Sequence, residues 1–440
     1  MTVYLICYAA SFLLSVSGHD TASGLGLIAA ACWLYLEDRK KRRDPLTLRG
    51  LFALSFVGGE GLALLKLSRV SGVWTAQAWL SFLLAFVVFW AVYELVTRRK
   101  ERESIPGTDA ASCGHFGIFL SIAGLSAVVF LAFVFEAAVL GYIPFFVRGV
   151  PHAYAAFHVK GVHYFTVSAV LLPAMAVIWF LTEKRRRLLW DLPVALSAGM
   201  GFLIPILCAS RSQMLFSILL TVLVYAGMSG KQLSPMWVGA AGVLCAGLFA
   251  LLTVVRGHDS AYLNAVFEMK NADTPVFISQ PYMYIINNYE NFNFLTRHLR
   301  FHTMGAKGLF PLWTFTGLKN RYWFLTCWGN MYVKAELTTT TIIYDAWYDF
   351  GLPGVCAFQA ALAAAAAQVG RAAVHGRNPF IYLLYGQFAL YMILSFFTTW
   401  FSLPITWFYF GVTGIAMAMV YLLDKGAGKK LIGRFRRKKQ

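Results

Sequence analysis

Three arginines and two aspartates have the types and settings that could do chemistry. Arg148 sits in FFVRGVP, Arg211 in CASRSQ and Arg256 in TVVRGHD. A guanidinium grips phosphate through a planar two-pronged fork. Three of them on one face would clamp a pyrophosphate, whereas each alone also serves by snorkelling to lipid phosphate. Asp345 and Asp349 lie four apart in TTTTIIYDAWYDFGLPG, one helical turn apart on one face. A carboxylate there suits a general base acting on a hydroxyl, or equally a helix cap that complements the dipole. Gly351 and Gly354 flank Pro353, which fits a helix start or a close backbone approach. His152, His158, His163, His258, His298 and His302 fall in the same segments. Of these, His163 and His258 are candidates for a base or a phosphate ligand. There is no HEXXH and no paired His/Cys ligand spacing, so no metal is expected. Glu60, in GGEG, and Glu136 fall in or near apolar runs, where an acid is a functional candidate by default; Glu60 reads as structural.

The elements that must hold these groups are apolar. Of 440 residues, 59% are hydrophobic and only 13% charged, and mean hydropathy is +0.62. Soluble chains carry about 25% charged residues, so neither a set of soluble domains nor a disordered chain fits. A bilayer core takes roughly 20 apolar residues per helix, and about twelve such runs are present. They are 2–17, 21–36, 48–67, 75–96, 116–138, 163–182, 191–208, 213–229, 236–255, 350–369, 380–399 and 404–423. Each is expected to be helical, because lipid cannot satisfy an open backbone. The expected fold is an all-α polytopic membrane protein forming a single integral domain over 1–440.

Charge orients the runs. With the N-terminus in the cytoplasm, the segments between them on that side hold 25 of the 38 Lys and Arg residues. The short outer loops are nearly bare, as the positive-inside rule requires. The net charge of +18 therefore points to a membrane surface and not to nucleic acid. The basic tail, 424–440, reads as a cytoplasmic anchor on anionic lipid. The first run lacks a basic leader and a clear cleavage site, so it is expected to be a retained span. Of the seven cysteines only Cys327 is expected outside, which leaves no external disulfide within one chain.

Two outer segments are too long for simple connections: 141–162, and 256–341 between the ninth and tenth runs. The second is rich in rings and amides, with NNYENFNF at its centre. Rings with a polar handle suit a surface that is half apolar and half wet, such as one that holds sugars. Asn288, Tyr289, Asn291 and Trp328 are the glycan-contact candidates, against an interfacial belt or the loop's own core.

In its dozen spans, its long outer loop, the Ser210–Arg211 turn, the Arg256 span exit and the Tyr348–Gly354 run YDFGLPG, the chain resembles the Wzy-type O-antigen and capsule polymerases. That resemblance implies a GT-C-like fold in the bacterial cytoplasmic membrane, with both termini inside. It implies a glycosyltransferase without cofactor or metal, acting on undecaprenyl-pyrophosphate-linked oligosaccharides at the outer face. The growing glycan moves to the nonreducing end of an incoming lipid-linked unit, and a chain-length regulator is a possible partner. Arg211, Arg256 and Arg148 would hold the leaving pyrophosphate. Asp345 or Asp349, with His163 behind them, would take the acceptor proton. The related O-antigen ligases share this architecture. A flippase for lipid-linked oligosaccharides is the alternative from another class, but it would carry midplane charge and short loops.

Overall fold

The computed structural model describes residues 1–42, 45–101, 115–147, 153–183, 187–229, 260–271 and 273–437. Among them the chain is helical, apart from one isolated antiparallel bridge between Ser68 and Met269. Among the described residues seven helices are long and apolar enough to cross a membrane: Ala76–Arg98, His115–Leu140, His163–Thr182, Leu188–Leu207, Arg211–Ser229, Tyr344–His375 and Pro404–Leu423. Two shorter apolar helices, Thr2–Val16 and Ile381–Ile393, fall in the expected runs 2–17 and 380–399. The chain is a helical membrane protein. The expected run 236–255 lies outside the described residues.

The chain divides into two compact units. Unit 1 comprises Met1–Ser104, Asp259–Gly370 and Tyr391–Trp407; unit 2 comprises Ile105–His258, Arg371–Leu390 and Phe408–Gln440.

Unit 1 begins with α1 (Thr2–Val16) and α2 (Asp20–Arg42). The expected run 48–67 is not one regular helix. It forms α3 (Leu48–Phe52), a π-helical turn at Ala53–Val57, and α4 (Gly58–Leu64). A polar donor accompanies the π turn: the Tyr289 hydroxyl reaches the Phe56 carbonyl at 2.6 Å. α2 and α4 meet backbone to backbone, since a Cβ on Gly61 would lie 2.7 Å from the Gly24 carbonyl oxygen. Small residues permit that approach where apolar side chains gain nothing over lipid. α5 (Ala76–Glu101) follows. At its basic end, Arg49 of α3 is buried, ion-paired to Asp38 and Glu94, and 4.0 Å from the Trp90 ring centroid.

Unit 2 opens with α6 (His115–Leu140), a short α7 (Ala153–Ala156) and α8 (His163–Val167). A 3-10 turn at Ser168–Leu171 leads into α9 (Leu172–Thr182). Pro173 explains the tightened turn, because it has no N–H and crowds the preceding carbonyls. α10 (Leu188–Leu207) and α11 (Arg211–Ser229) complete this hairpin stack. Gly201 of α10 rides against Pro173, where a Cβ would sit 2.4 Å from the proline Cδ.

The segment expected as a long loop carries its own helices. These are α12 (Ser260–Phe267), α13 (Val276–His298) and α14 (Phe310–Phe315). α13 is polar in sequence yet largely buried in unit 1. α15 (Tyr344–His375) starts six residues before the expected run and kinks at Gly351, whose φ of +63° an L side chain rarely adopts. α16 (Ile381–Ile393) is shorter than the expected 380–399, and α17 (Pro404–Arg437) follows.

Candidate functional site

Unit 1 holds Asp345 and Asp349, and their surroundings separate their roles. Asp349 is 2% exposed, at the kink of α15. Its Oδ1 accepts from the Thr303 hydroxyl and from the Lys307 backbone N–H at 3.1 Å, and its Oδ2 accepts from the Gly308 N–H at 2.6 Å. The Thr303 and Met304 N–H groups in turn donate to the Tyr348 and Asp349 carbonyls, both at 3.2 Å. Asp349 is a cap, but of the 303–308 turn and not of its own helix. The three donors on this carboxylate all come from that turn.

Asp345 is different. Hydroxyls of Thr399 and Ser402 bond its carboxylate, and the Lys307 ammonium acts on it electrostatically. The Lys307 Nζ donates to the Trp328 carbonyl at 3.3 Å and to Asn330 Oδ1, and lies 4.7 Å from the Tyr348 ring centroid. Burial pushes this ammonium below its ordinary value, against the pull of Asp345 and Asp349. Tyr344 and Tyr348 fix the facing segment, the first through paired 2.8 Å bonds to the Met331 backbone and the second through the Gly329 carbonyl at 3.1 Å. The result is a partly buried cluster of one cation, carboxylates, an amide and rings. Lys307 and Asn330 were not singled out in the sequence, and a lysine 38 residues from its carboxylate gives no local signal.

The glycan-contact candidates divide. Asn288, Tyr289 and Asn291 are buried in α13 and bonded to backbone. Asn288 Nδ2 reaches the Tyr284 carbonyl at 2.6 Å, and Asn291 Nδ2 reaches those of Leu337 and Thr339 at 2.7 and 2.8 Å. Asn291 Oδ1 accepts from Val333 N–H at 2.8 Å. The Asn291 amide holds the following segment on the helix, the Asn288 amide bonds its own helix and the Tyr289 hydroxyl bonds Phe56, so all three polar groups are engaged with backbone in this arrangement. Trp328 stays half-exposed, its indole N–H on the Phe324 carbonyl at 2.6 Å.

Unit 2 holds His163 and Arg211. His163 Nδ1 lies 3.2 Å from both carboxylate oxygens of Glu136, which is fully buried near the end of α6. The Val159 N–H also donates to Glu136 at 3.0 Å. With Nδ1–H turned to the carboxylate, Nε2 is left as the acceptor. The His163 side chain remains 23% exposed. Glu136 was visible in the sequence as a buried acid, but its pairing with a histidine 27 residues on was not.

Arg211 is the first residue of α11 and only 7% exposed. It follows Ala209, which turns the chain with a φ of +49°. A cation at a helix N-terminus opposes the dipole, so guanidinium and helix end together favour an anion. The turn belongs to the same end of unit 2 as the His163 pair. Cys208, three residues before Arg211, packs in one cluster with Phe133 and Phe157 and feels the Glu136 charge. Arg148, Arg256, His152 and His258 lie outside the described residues. Glu60 is fully buried in unit 1 and accepts from the Tyr8 hydroxyl at 2.8 Å.

No group of three or more His, Cys, Asp or Glu side chains among the described residues is arranged to hold a metal. Comparison with protein-family models, with curated proteins and with solved structures finds no match.

Proposed function

We propose that the chain polymerises lipid-pyrophosphate-linked oligosaccharide repeat units at the outer face of a bacterial cytoplasmic membrane, as its resemblance to Wzy-type polymerases implies. The observation that carries this reading is the gathering of Arg211 and the Glu136–His163 pair at one end of unit 2. An anion-seeking group and an oriented base are the two functions such a transfer needs. The acceptor hydroxyl oxygen attacks the anomeric carbon of the donor glycan. The bond to the pyrophosphate oxygen breaks, and its electron pair leaves with the lipid pyrophosphate. The hydroxyl proton passes to His163 Nε2. Charge building on the leaving group is met by Arg211, which a preorganised site makes worth several kcal/mol. By sequence, Arg256 and Arg148 stand at the outer ends of expected spans and would complete the clamp. Glu136 steadies the imidazolium.

Within unit 1, taken by itself, a second cluster has the chemistry to contact sugar. Lys307, Asn330, Trp328 and Tyr348 offer a cation, an amide and rings to sugar hydroxyls and CH faces. Asp345 is the second choice of base. No nucleotide, metal or nucleic acid enters the scheme. Membrane lipid and a chain-length regulator are the partners.

The test is the glycan profile of cells lacking the chain. Loss of a polymerase leaves single repeats on the final acceptor. Loss of a ligase leaves long chains on the polyprenyl carrier, and loss of a flippase leaves single lipid-linked units on the inner leaflet. Either of the last two profiles replaces the proposal.

A further inference from the structure

The segment of unit 1 between α13 and α15, residues 299–343, carries an exposed apolar surface that the transfer chemistry does not use. Its longest helix is α14, of six residues, followed by 3-10 turns at Leu318–Asn320 and Trp323–Leu325. Phe301, Leu309, Leu312, Phe315, Trp323 and Phe324 are all exposed, Trp323 to 76%. Leu309, Leu312 and Phe315 follow at intervals of three, so the α14 turn shows an apolar stripe outward, where a helix on a watery surface would turn it in. The stripe continues onto the spanning helix. A Cβ on Gly305 would lie 3.3 Å from Leu309 Cδ1 and 3.7 Å from Phe350 Cζ, and Phe350 of α15 is exposed as well.

Two constraints fix the surroundings of such a segment. Irregular backbone is not tolerated against the hydrocarbon core, because its N–H and C=O groups find no partners there. A continuous run of bare rings and leucines is equally disfavoured in water. The boundary between acyl chains and headgroups satisfies both, and α15, which crosses the membrane, leads directly into the segment. Charge then selects the lipid. From residue 299 to 335 there are five Lys and Arg residues and no Asp or Glu. Lys334 is paired with Glu268, and Lys307 belongs to the cluster around Asp345. Arg300, Lys319 and Arg321 remain, with Lys319 Nζ 5.3 Å from the Phe310 ring centroid and the Arg321 guanidinium 6.0 Å from that of Tyr322. We propose that residues 301–324 are seated in the headgroup boundary of the bilayer, their rings and leucines among the upper acyl chains and Lys319 and Arg321 on the phosphodiesters of anionic phospholipid. The Trp328 indole bonds the Phe324 carbonyl at 2.6 Å, so this seat also sets the height of the Lys307 cluster at the membrane. The seat rests on the membrane reading alone and stands or falls apart from the polymerase.

Photo-labelling of the full chain in phosphatidylcholine vesicles tests it. The probes are phosphatidylglycerol and phosphatidylcholine, each with a diazirine at the top or at the end of one acyl chain, and labelled peptides are read by mass spectrometry. The expected result is labelling of 301–324 by the upper-chain probes, stronger for phosphatidylglycerol, while the chain-end probes label the spans and not this segment. Arg321→Gln is expected to reduce labelling by phosphatidylglycerol about fivefold and to leave labelling by phosphatidylcholine unchanged. Arg98→Gln, an equal charge change on the exposed surface of α5, is expected to alter neither. Trp323→Ser keeps the charge and is expected to reduce labelling by both upper-chain probes. Labelling of the spans by the chain-end probes shows that each variant is inserted and folded. Absence of lipid label on 301–324, equal labelling by upper-chain and chain-end probes, equal labelling by both lipids, or carbene cross-links from this segment to a second copy of the chain in place of lipid each overturns the proposal. Full competition by millimolar inorganic phosphate also overturns it, since the cations would then be reading a free anion and not a bilayer.

Discussion

The imidazole of His163 and the carboxylate of Glu136 form a part-buried pair, Nδ1 standing 3.2 Å from each carboxylate oxygen. The two residues come from different helices, α8 and α6, and the pair lies at the same end of unit 2 as the Arg211 turn. A histidine oriented in this way presents one nitrogen to solvent in a fixed direction, which a lone surface histidine does not.

Residues that act as one unit lose function non-additively. Glu136→Gln is expected to slow glycan transfer about a hundredfold, and His163→Asn at least as much. The double variant is expected to be no slower than His163→Asn alone. Transfer rates in membranes carrying equal amounts of each variant check this; additive losses would show that the pair does not act together.

Asp349 and Asp345 are expected to separate by readout. Asp349→Asn leaves a donor facing the N–H groups of the 303–308 turn, and is expected to cost about 1–3 kcal/mol of stability. Properly folded protein should retain its transfer rate. Asp345→Asn, which removes one of the two carboxylates acting on the Lys307 ammonium, is expected to weaken glycan binding and to raise KM. Melting temperature and KM for both variants decide it.

Arg49 ties α3 to α2 and α5 through Asp38 and Glu94. Arg49→Ala strands the fully buried Asp38 carboxylate, although Arg42 also reaches it at 3.4 Å. Removing one partner of a buried pair typically costs 3–5 kcal/mol, so a large fall in melting temperature is expected, with Arg49→Lys intermediate.

Glu290 gives stability a pH dependence. It lies on α13, 2% exposed, and accepts from the Gly72 N–H at 3.0 Å and the Trp74 indole at 2.9 Å. Burial pushes its carboxyl up to about 7 from 4.5. The folded state therefore holds this proton at pH values where the unfolded chain has released it. Stability falls as pH rises through the window from 4.5 to about 7, and is flat on this account above it. Melting curves across that window should show the decline, and Glu290→Gln should remove it.

The long apolar runs of α5, α6, α10, α11 and α17 were legible because twenty apolar residues in a row have few other places to go. The irregular parts were not. The π turn after α3 accompanies a hydroxyl on Tyr289, 233 residues away. The early start and kink of α15 depend on Gly351 and on the 303–308 turn that packs there. NNYENFNF looked like a wet surface because its amides are polar. They are instead spent on buried backbone, a partnership that sequence cannot show. The site follows the same division. His163 and Arg211 stood out by residue type, but Glu136 as a partner and Lys307 beside Asp345 exist only once the chain has folded.

Chain growth in cells expressing Arg211→Ala tests the central claim most directly. Membrane fractions first establish that the variant inserts at the level of the parent chain. Separation of the surface glycan by length should then show single repeats only, with Arg211→Lys recovering part of the ladder. A full-length ladder from Arg211→Ala would contradict the account, because transfer would then proceed without the buried guanidinium assigned to the departing pyrophosphate.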